Sequence, residues 1–252
     1  MTDFNPFSLA GKRILITGAT SGLGHATAIA CAKMGAEIIG IGRDAIRLTD
    51  TLEELNKISN LSHQMLFADL TDDNDREALL AQIINPVDGV IHGAGISALS
   101  PVRMINKEHL RKVQAINVEA PTLLTQALLK KNIVSADGSI VFIASIAAHI
   151  GVAGVAAYSG TKASLLAIAR CLAMEVVKRR IRVNCLSPAL VETPMLEATA
   201  MVVSNIENER QNYPLGFGKP DDVANAAIFL LSDASRWITG TTIVMDGGLT
   251  IS

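Results

Sequence analysis

Short, almost wholly apolar runs alternate with longer stretches in which apolar residues recur every three or four positions. The runs Arg13–Thr17 (RILIT), Glu37–Ile41 (EIIGI), His63–Ala68 (HQMLFA), Val87–His92, Ser139–Ala144 (SIVFIA), Arg182–Leu186 and Thr242–Met245 read as strands. The spacing between them predicts helices over Leu23–Met34, Asp44–Lys57, Asp72–Ile84, Lys107–Asn117, Ala120–Lys131, about Ala156 to Arg179, and Asp221–Leu231. Gly35 stops the first helix, and Asp69 closes the third strand.

Strands without apolar/polar alternation, separated by helices, predict a parallel sheet covered on both faces. Right-handed crossovers then give a doubly wound, Rossmann-type α/β fold with seven parallel strands. The sequence holds no repeat, low-complexity tract or linker, so residues 1–252 are expected to form a single domain. The stretch at about 194–218 is less regular and carries Pro194 and Pro214. It is expected to be an excursion that covers the site from the strand ends.

Composition narrows the class. Of 252 residues, 49% are hydrophobic, 4% aromatic and 18% charged, and the mean hydropathy is +0.35. Disorder is excluded, since it needs low hydrophobicity and high net charge. Cys31, Cys171 and Cys185 form no close pair; they read as core residues in a reducing, cytoplasmic setting, not as a disulfide scaffold. A net charge of −2 offers no polybasic face for nucleic acid or anionic lipid. The uncharged stretch Ser139–Thr161 is long enough to span a bilayer, but Ser145, His149, Tyr158, Ser159 and three glycines make it a strand, loop and helix start. Without a basic region followed by an apolar run, the N-terminus is not expected to be a signal peptide. No His/Cys/acid cluster has metal-ligand spacing.

The first strand leads into Thr17-Gly18-Ala19-Thr20-Ser21-Gly22-Leu23-Gly24. Glycines at a strand-to-helix turn let the backbone approach a pyrophosphate, and the helix start offers free N–H groups and a positive dipole end. Further on, Tyr158 and Lys162 stand four apart at the start of a predicted helix and so share a face. A free tyrosine has a pKa of about 10, too high for proton transfer near neutrality, and a neighbouring cation would lower it. Ser145 ends the fifth strand, at the carboxyl edge where such sheets place ligands.

Together the glycine turn, Asn117 in Ala115-Ile116-Asn117-Val118, Ser145, and Tyr158-Ser159-Gly160-Thr161-Lys162 resemble the short-chain dehydrogenase/reductase family over nearly the whole chain. The resemblance implies that Tyr158 gives or takes the carbonyl proton. Lys162 would lower its pKa and hold the nicotinamide ribose. Ser145 would bind the substrate oxygen, and Asn117 would position a water beside Lys162. Gly18, Thr20, Ser21, Gly22, Leu23 and Gly24 are the expected cofactor cradle. Asp69 and Leu70 match the adenine contact, and Gly93, Ala94 and Gly95 the segment beside the cofactor ribose. Val191 and Thr193 match the carboxamide contacts. His92 replaces an asparagine of the family and reads as a structural hydrogen bonder, and Ala189 replaces the usual glycine after Pro188.

At the end of the second strand Gly42 stands where an acid would bind the ribose hydroxyl of NAD, and Arg43 follows. The resemblance therefore favours NADP(H) over NAD(H), with Asp44 next in line as a counterargument. The expected reaction is hydride transfer between NADP(H) and a carbonyl/alcohol pair, with a small-molecule or carrier-linked substrate. A 3-oxoacyl thioester is one candidate. Lys130, Lys131 and Arg179 are the basic residues considered for docking an acyl carrier protein. Met195, Leu196, Ala198, Met201, Val202, Val203 and Ile206, followed by Glu207, Glu209 and Arg210, form the expected cover. An NAD-linked sugar or polyol dehydrogenase and a non-catalytic nucleotide sensor remain as alternatives. Much of the apolar surplus lies in the helices Ala120–Lys131 and Ala156–Val177, the second apolar around most of its circumference. The resemblance implies that both pack against another subunit, in a homotetramer or dimer.

Overall fold

The computed structural model describes residues 4–200 and 206–251. Seven parallel strands form one sheet: β1 (Arg13–Thr17), β2 (Glu37–Gly42), β3 (Gln64–Phe67), β4 (Val87–His92), β5 (Val134–Ile143), β6 (Arg182–Pro188) and β7 (Thr242–Met245). Their order is β3-β2-β1-β4-β5-β6-β7. The chain winds outward from β1 to β3, then returns to lay β4 on the other side of β1. The carboxyl ends of β1 and β4 therefore flank the switch point, the crevice where doubly wound sheets bind ligands. Thr17 and His92 are register partners there.

The helices are α1 (Gly22–Lys33), α2 (Ala45–Ile58), α3 (Asp73–Gln82), α4 (Lys107–Gln114), α5 (Ala120–Lys130), α6 (Ala156–Val176), α7 (Pro194–Ala200) and α8 (Pro220–Leu231). Alternate strand residues serve different cores. Ile140 and Phe142 of β5 join Leu124, Leu128, Leu165 and Ala169 on the α5–α6 side. Val141 and Ile143 join Ala28, Cys31, Ala227 and Leu230 on the α1–α8 side. Burial on both faces is why the central strands carry unbroken apolar runs, as at residues 14–16 and 140–143. Among the described residues no helix is long and apolar enough to cross a membrane.

Several expectations are corrected. β5 starts at Val134, before the predicted Ser139: Val87 pairs with Val134, and the ladder then slips before Gly89 meets Ser139. Asp137, at φ +62°, lies in that irregularity, and its carboxylate pairs with Arg180 at 2.6 Å. The predicted helix ending at Asn117 stops at Gln114, and Ala115–Glu119 forms a π turn that runs directly into α5. α6 ends at Val176; Val177–Arg179 is a 3₁₀ turn closed by Arg180 at φ +55°. Cys171 is exposed and not core, because it lies on the outer side of α6, while Cys31 and Cys185 are buried. The excursion contains α7 and a 3₁₀ segment, Ile206–Asn212; Met201, Val202 and Val203 fall outside the described residues, as does the Glu207 side chain.

Candidate active site

The glycine turn is dictated by how closely two loops pack across the switch point. Gly18 has φ +70°, and a Cβ there would stand 2.9 Å from the Ala94 Cα. A Cβ on Gly24 would lie 2.2 Å from the Gly18 carbonyl oxygen. The Ala94 N–H donates to Thr17 Oγ1 at 3.1 Å, which ties the loop after β4 to the loop after β1. Ser21 precedes α1 but makes no side-chain cap, and the first turn holds no acid. The leading N–H groups of α1 therefore face an open, electropositive space. Thr193 closes it from above: a Cβ on Gly22 would be 3.7 Å from the Thr193 methyl. A helix start with no side-chain cap and no acid in its first turn suits a pyrophosphate by charge.

Beyond β2, the neighbourhood of Arg43 is crowded on one side and charged on the other. A Cβ on Gly42 would come within 2.7 Å of the Thr20 methyl carbon, so an acid there would have to displace Thr20. Asp44 is committed to α2: its side chain accepts from the Arg47 N–H at 3.1 Å and lies 3.3 Å from Arg47 Nε. Arg43 Nη1 is 3.4 Å from Asp69 Oδ2, and both side chains remain open to solvent. The N–H of Thr71 holds the Asp69 carboxyl below the usual carboxylate range, and the Thr71 hydroxyl and Arg43 add to the effect. Leu70 is buried behind them.

Three elements deliver the reactive side chains. Ser145 follows β5 and opens the 3₁₀ turn Ile146–Ala148, its Oγ accepting from the Ala147 N–H at 3.2 Å. Tyr158, in the first turn of α6, hydrogen-bonds Ser145 through its hydroxyl. Lys162 lies one turn further along α6. Its Nζ donates to the Ile143 carbonyl at 2.7 Å and stands 5.7 Å from the centre of the Tyr158 ring. Burial pulls the Lys162 pKa down to about 8. Burial pushes the Tyr158 pKa up, and the bond from Ser145 partly offsets it. The expected lowering by Lys162 is thus not what this geometry produces, because the ammonium is aimed at the end of β5.

Asn117 sits in the π turn and is fully buried. Its amide takes the Ile96 N–H at 2.9 Å, donates to the Ile96 carbonyl at 3.0 Å and donates to Thr161 Oγ1 at 3.2 Å. A Cβ on Gly95 would be 3.2 Å from Asn117 Oδ1 and 3.4 Å from Lys162 Nζ, so the loop after β4 passes tightly over both. All four residues expected in the reaction meet at one sheet edge. The glycine loops and the Val191–Thr193 segment border the same edge, with Thr193 Oγ1 donating to the Val191 carbonyl at 3.2 Å. His92 is buried against Thr125 Oγ1 at 2.8 Å and stacks on Phe142. Lys130, Lys131 and Arg179 are elsewhere: they close α5 and follow α6, where Arg179 donates to the carbonyl of Val134 at the opposite, amino end of β5. The reading from sequence gave no role to His149, whose contact with Ser187 depends on the β6 register and left no local signal.

A helix start prepared for an anion, facing a proton donor steadied by a serine and backed by a lysine, is the equipment of a pyridine-nucleotide oxidoreductase. Known proteins agree. A family model described as Enoyl-(Acyl carrier protein) reductase matches residues 18–250. The 3-oxoacyl-[acyl-carrier-protein] reductase FabG of Aquifex aeolicus is 34% identical over 247 residues, which is 96% of this chain and 98% of that protein. The L-xylulose reductase of Caenorhabditis elegans is 32% identical over 248 residues, covering 96% of this chain and 97% of that protein. A Brucella melitensis crystal structure described as a glucose/ribitol dehydrogenase of the short-chain dehydrogenase/reductase type superposes with a TM-score of 0.91 at 27% identity, covering 98% of this chain and 100% of that one. The chain belongs to the short-chain dehydrogenase/reductase family and is an oxidoreductase.

Proposed function

We propose that this protein interconverts a carbonyl and an alcohol with NADP(H), in preference to NAD(H). The observation that carries the preference is an exposed cation, held only by a solvent-open ion pair with Asp69, together with the lack of an acid at the strand end. Arg43 borders the ribose position, Thr20 fills the space an acid at position 42 would need, and Asp44 is spent on capping α2. A 2′-phosphate would draw Arg43 from Asp69 at little cost, since an exposed ion pair is worth about 0–1 kcal/mol.

When bound, the nicotinamide supplies or accepts the hydride. The chain's own residues handle the oxygen and its proton. Tyr158, kept protonated by burial, donates to the carbonyl oxygen during reduction and takes the proton back during oxidation. Ser145, whose single O–H proton goes to Tyr158 in this structure, would turn it to the substrate oxygen as a second hydrogen bond when a carbonyl enters. Lys162 keeps a positive charge behind Tyr158. Asn117 fixes the Ile96 backbone and, through Thr161, the first turns of α6. The named activities of the relatives, on 3-oxoacyl groups and on L-xylulose, support a carbonyl substrate class. Docking of an acyl carrier through Lys130, Lys131 and Arg179 gains no support within one chain, since they lie at the far end of the sheet. Exposed Leu123 and Met174 on α5 and α6 favour assembly of copies through those helices. Three free cysteines favour a reducing compartment, and we place the protein in the cytoplasm on that ground.

The test is a panel of carbonyls and alcohols followed by nicotinamide absorbance with each cofactor. Equal or better kcat/KM with NADH would sink the cofactor preference. Tight NADPH binding without turnover on any compound would restore the sensor reading.

A further inference from the structure

His149 is a polar group at the site edge that the chemistry above leaves unused. It ends the 3₁₀ turn that Ser145 begins, and its own N–H donates to the Ile146 carbonyl at 2.8 Å. One tight turn therefore fixes the imidazole relative to Ser145. Its Nε2 hydrogen-bonds Ser187 Oγ at 3.0 Å. Ser187 is fully buried near the end of β6, just before Pro188 and the segment that leads to Val191. The ring thus bridges the carboxyl ends of β5 and β6, in the turn that Ser145 opens.

The asymmetry of this pair is informative. His149 is exposed and Ser187 is not. A serine without solvent access cannot attack a substrate, so the pair is no nucleophile and base. Its hydroxyl instead holds the ring in one orientation. Among the described residues no hydrogen bond reaches the other ring nitrogen. An oriented imidazole with one nitrogen satisfied and one open recognises a hydroxyl or carbonyl oxygen.

We propose that His149, oriented by Ser187, binds a second oxygen of the substrate, so that the enzyme prefers α-hydroxy ketones to simple ketones. The inference rests on the oxidoreductase reading above and deepens it. A site that hydrogen-bonds a substrate hydroxyl discriminates against the analogue that lacks it.

Acetoin and butan-2-one differ by one hydroxyl and form the test pair. The wild-type enzyme is expected to show a kcat/KM about tenfold higher for acetoin, the scale of one partly exposed hydrogen bond. His149→Ala brings the ratio close to one by raising the KM for acetoin, with butan-2-one turnover and NADPH affinity unchanged. Ser187→Ala lowers the ratio partway, and His149→Gln restores part of it. The inference is overturned if the wild type does not discriminate, if His149→Ala keeps the preference, or if both ketones lose efficiency equally. A second readout separates it from the oxidoreductase reading: the imidazole resonance of His149 is followed while each ketone is titrated into the NADPH-loaded protein. A shift with acetoin alone supports the inference even without turnover, in which case only the oxidoreductase reading falls. No shift with either ketone, in the absence of turnover, overturns it.

Discussion

Acid should loosen this fold through a buried histidine. His92 lies at the end of β4 with its ring stacked on Phe142, at 4.7 Å between centroids, and its Nε2 against Thr125 Oγ1. Its Nδ1 is buried and has no partner. Nothing there compensates an imidazolium, and burial pulls the pKa from 6.5 down to about 3. An unfolded chain takes up this proton near pH 6.5, whereas the folded chain refuses it until about pH 3. The stability is therefore complete above about pH 6.5 and is lost progressively as the pH falls toward about 3. The slope approaches about 1.4 kcal/mol per pH unit, so roughly 2 kcal/mol is gone by about pH 5. His63, which accepts the Ile38 N–H on Nδ1, shifts in the same direction and adds to the slope. The comparison must therefore be between wild type and His92→Asn, which removes only the one contribution. Urea midpoints measured from about pH 7 to about pH 5 are the assay. The variant is expected to start less stable, because it forfeits the stacking, but to lose about 2 kcal/mol less on acidification. Parallel pH profiles for the two proteins would refute the reasoning.

Three further outcomes are expected at the site. Tyr158→Phe lowers turnover by at least about a hundredfold, the scale of a lost general acid, with NADPH affinity in a binding titration nearly unchanged. In the pH profile of kcat/KM for reduction, activity declines above about pH 8 as Lys162 loses its proton, and Lys162→Arg moves that limb upward. A limb that stays in place assigns it to another group. Arg43→Ala raises the KM for NADPH about tenfold, as one charge-assisted bond of roughly 1.5 kcal/mol at a half-exposed position would give, and leaves NADH kinetics alone.

What the sequence disclosed and what it hid follow a physical line. The central strands were legible because burial on both faces leaves unbroken apolar runs, as in Val141, Phe142 and Ile143. The Gly18–Gly24 turn and the Tyr158/Lys162 pair were legible because their chemistry depends on residue type at fixed short spacing. The early start of β5 was hidden, because Asn132 and Asp137-Gly138 are turn residues on any local reading and only Val87 supplies the pairing. Cys171 was misplaced because α6 is apolar on faces this chain does not cover. The target of Lys162 was hidden too, since a backbone carbonyl has no letter in the sequence.

That last point explains why the site stands where it does. Regular structure pairs its own N–H and C=O groups, and at element ends they go unpaired. Here several such ends converge. β5 stops and leaves the Ile143 carbonyl, which takes the ammonium of Lys162. The loop after β4 leaves both polar groups of Ile96, which Asn117 engages from a π turn, a helical geometry loose enough to aim that side chain inward. α1 begins without a side-chain cap and with no acid in its first turn. Two of the four side chains proposed for the chemistry, Lys162 and Asn117, are thus also the ones that satisfy these ends. Replacing Lys162 or Asn117 should therefore disturb the loop after β4 and the end of β5 as well as the reaction. Tyr158→Phe, whose hydroxyl closes no such end, is the variant that isolates the proton transfer.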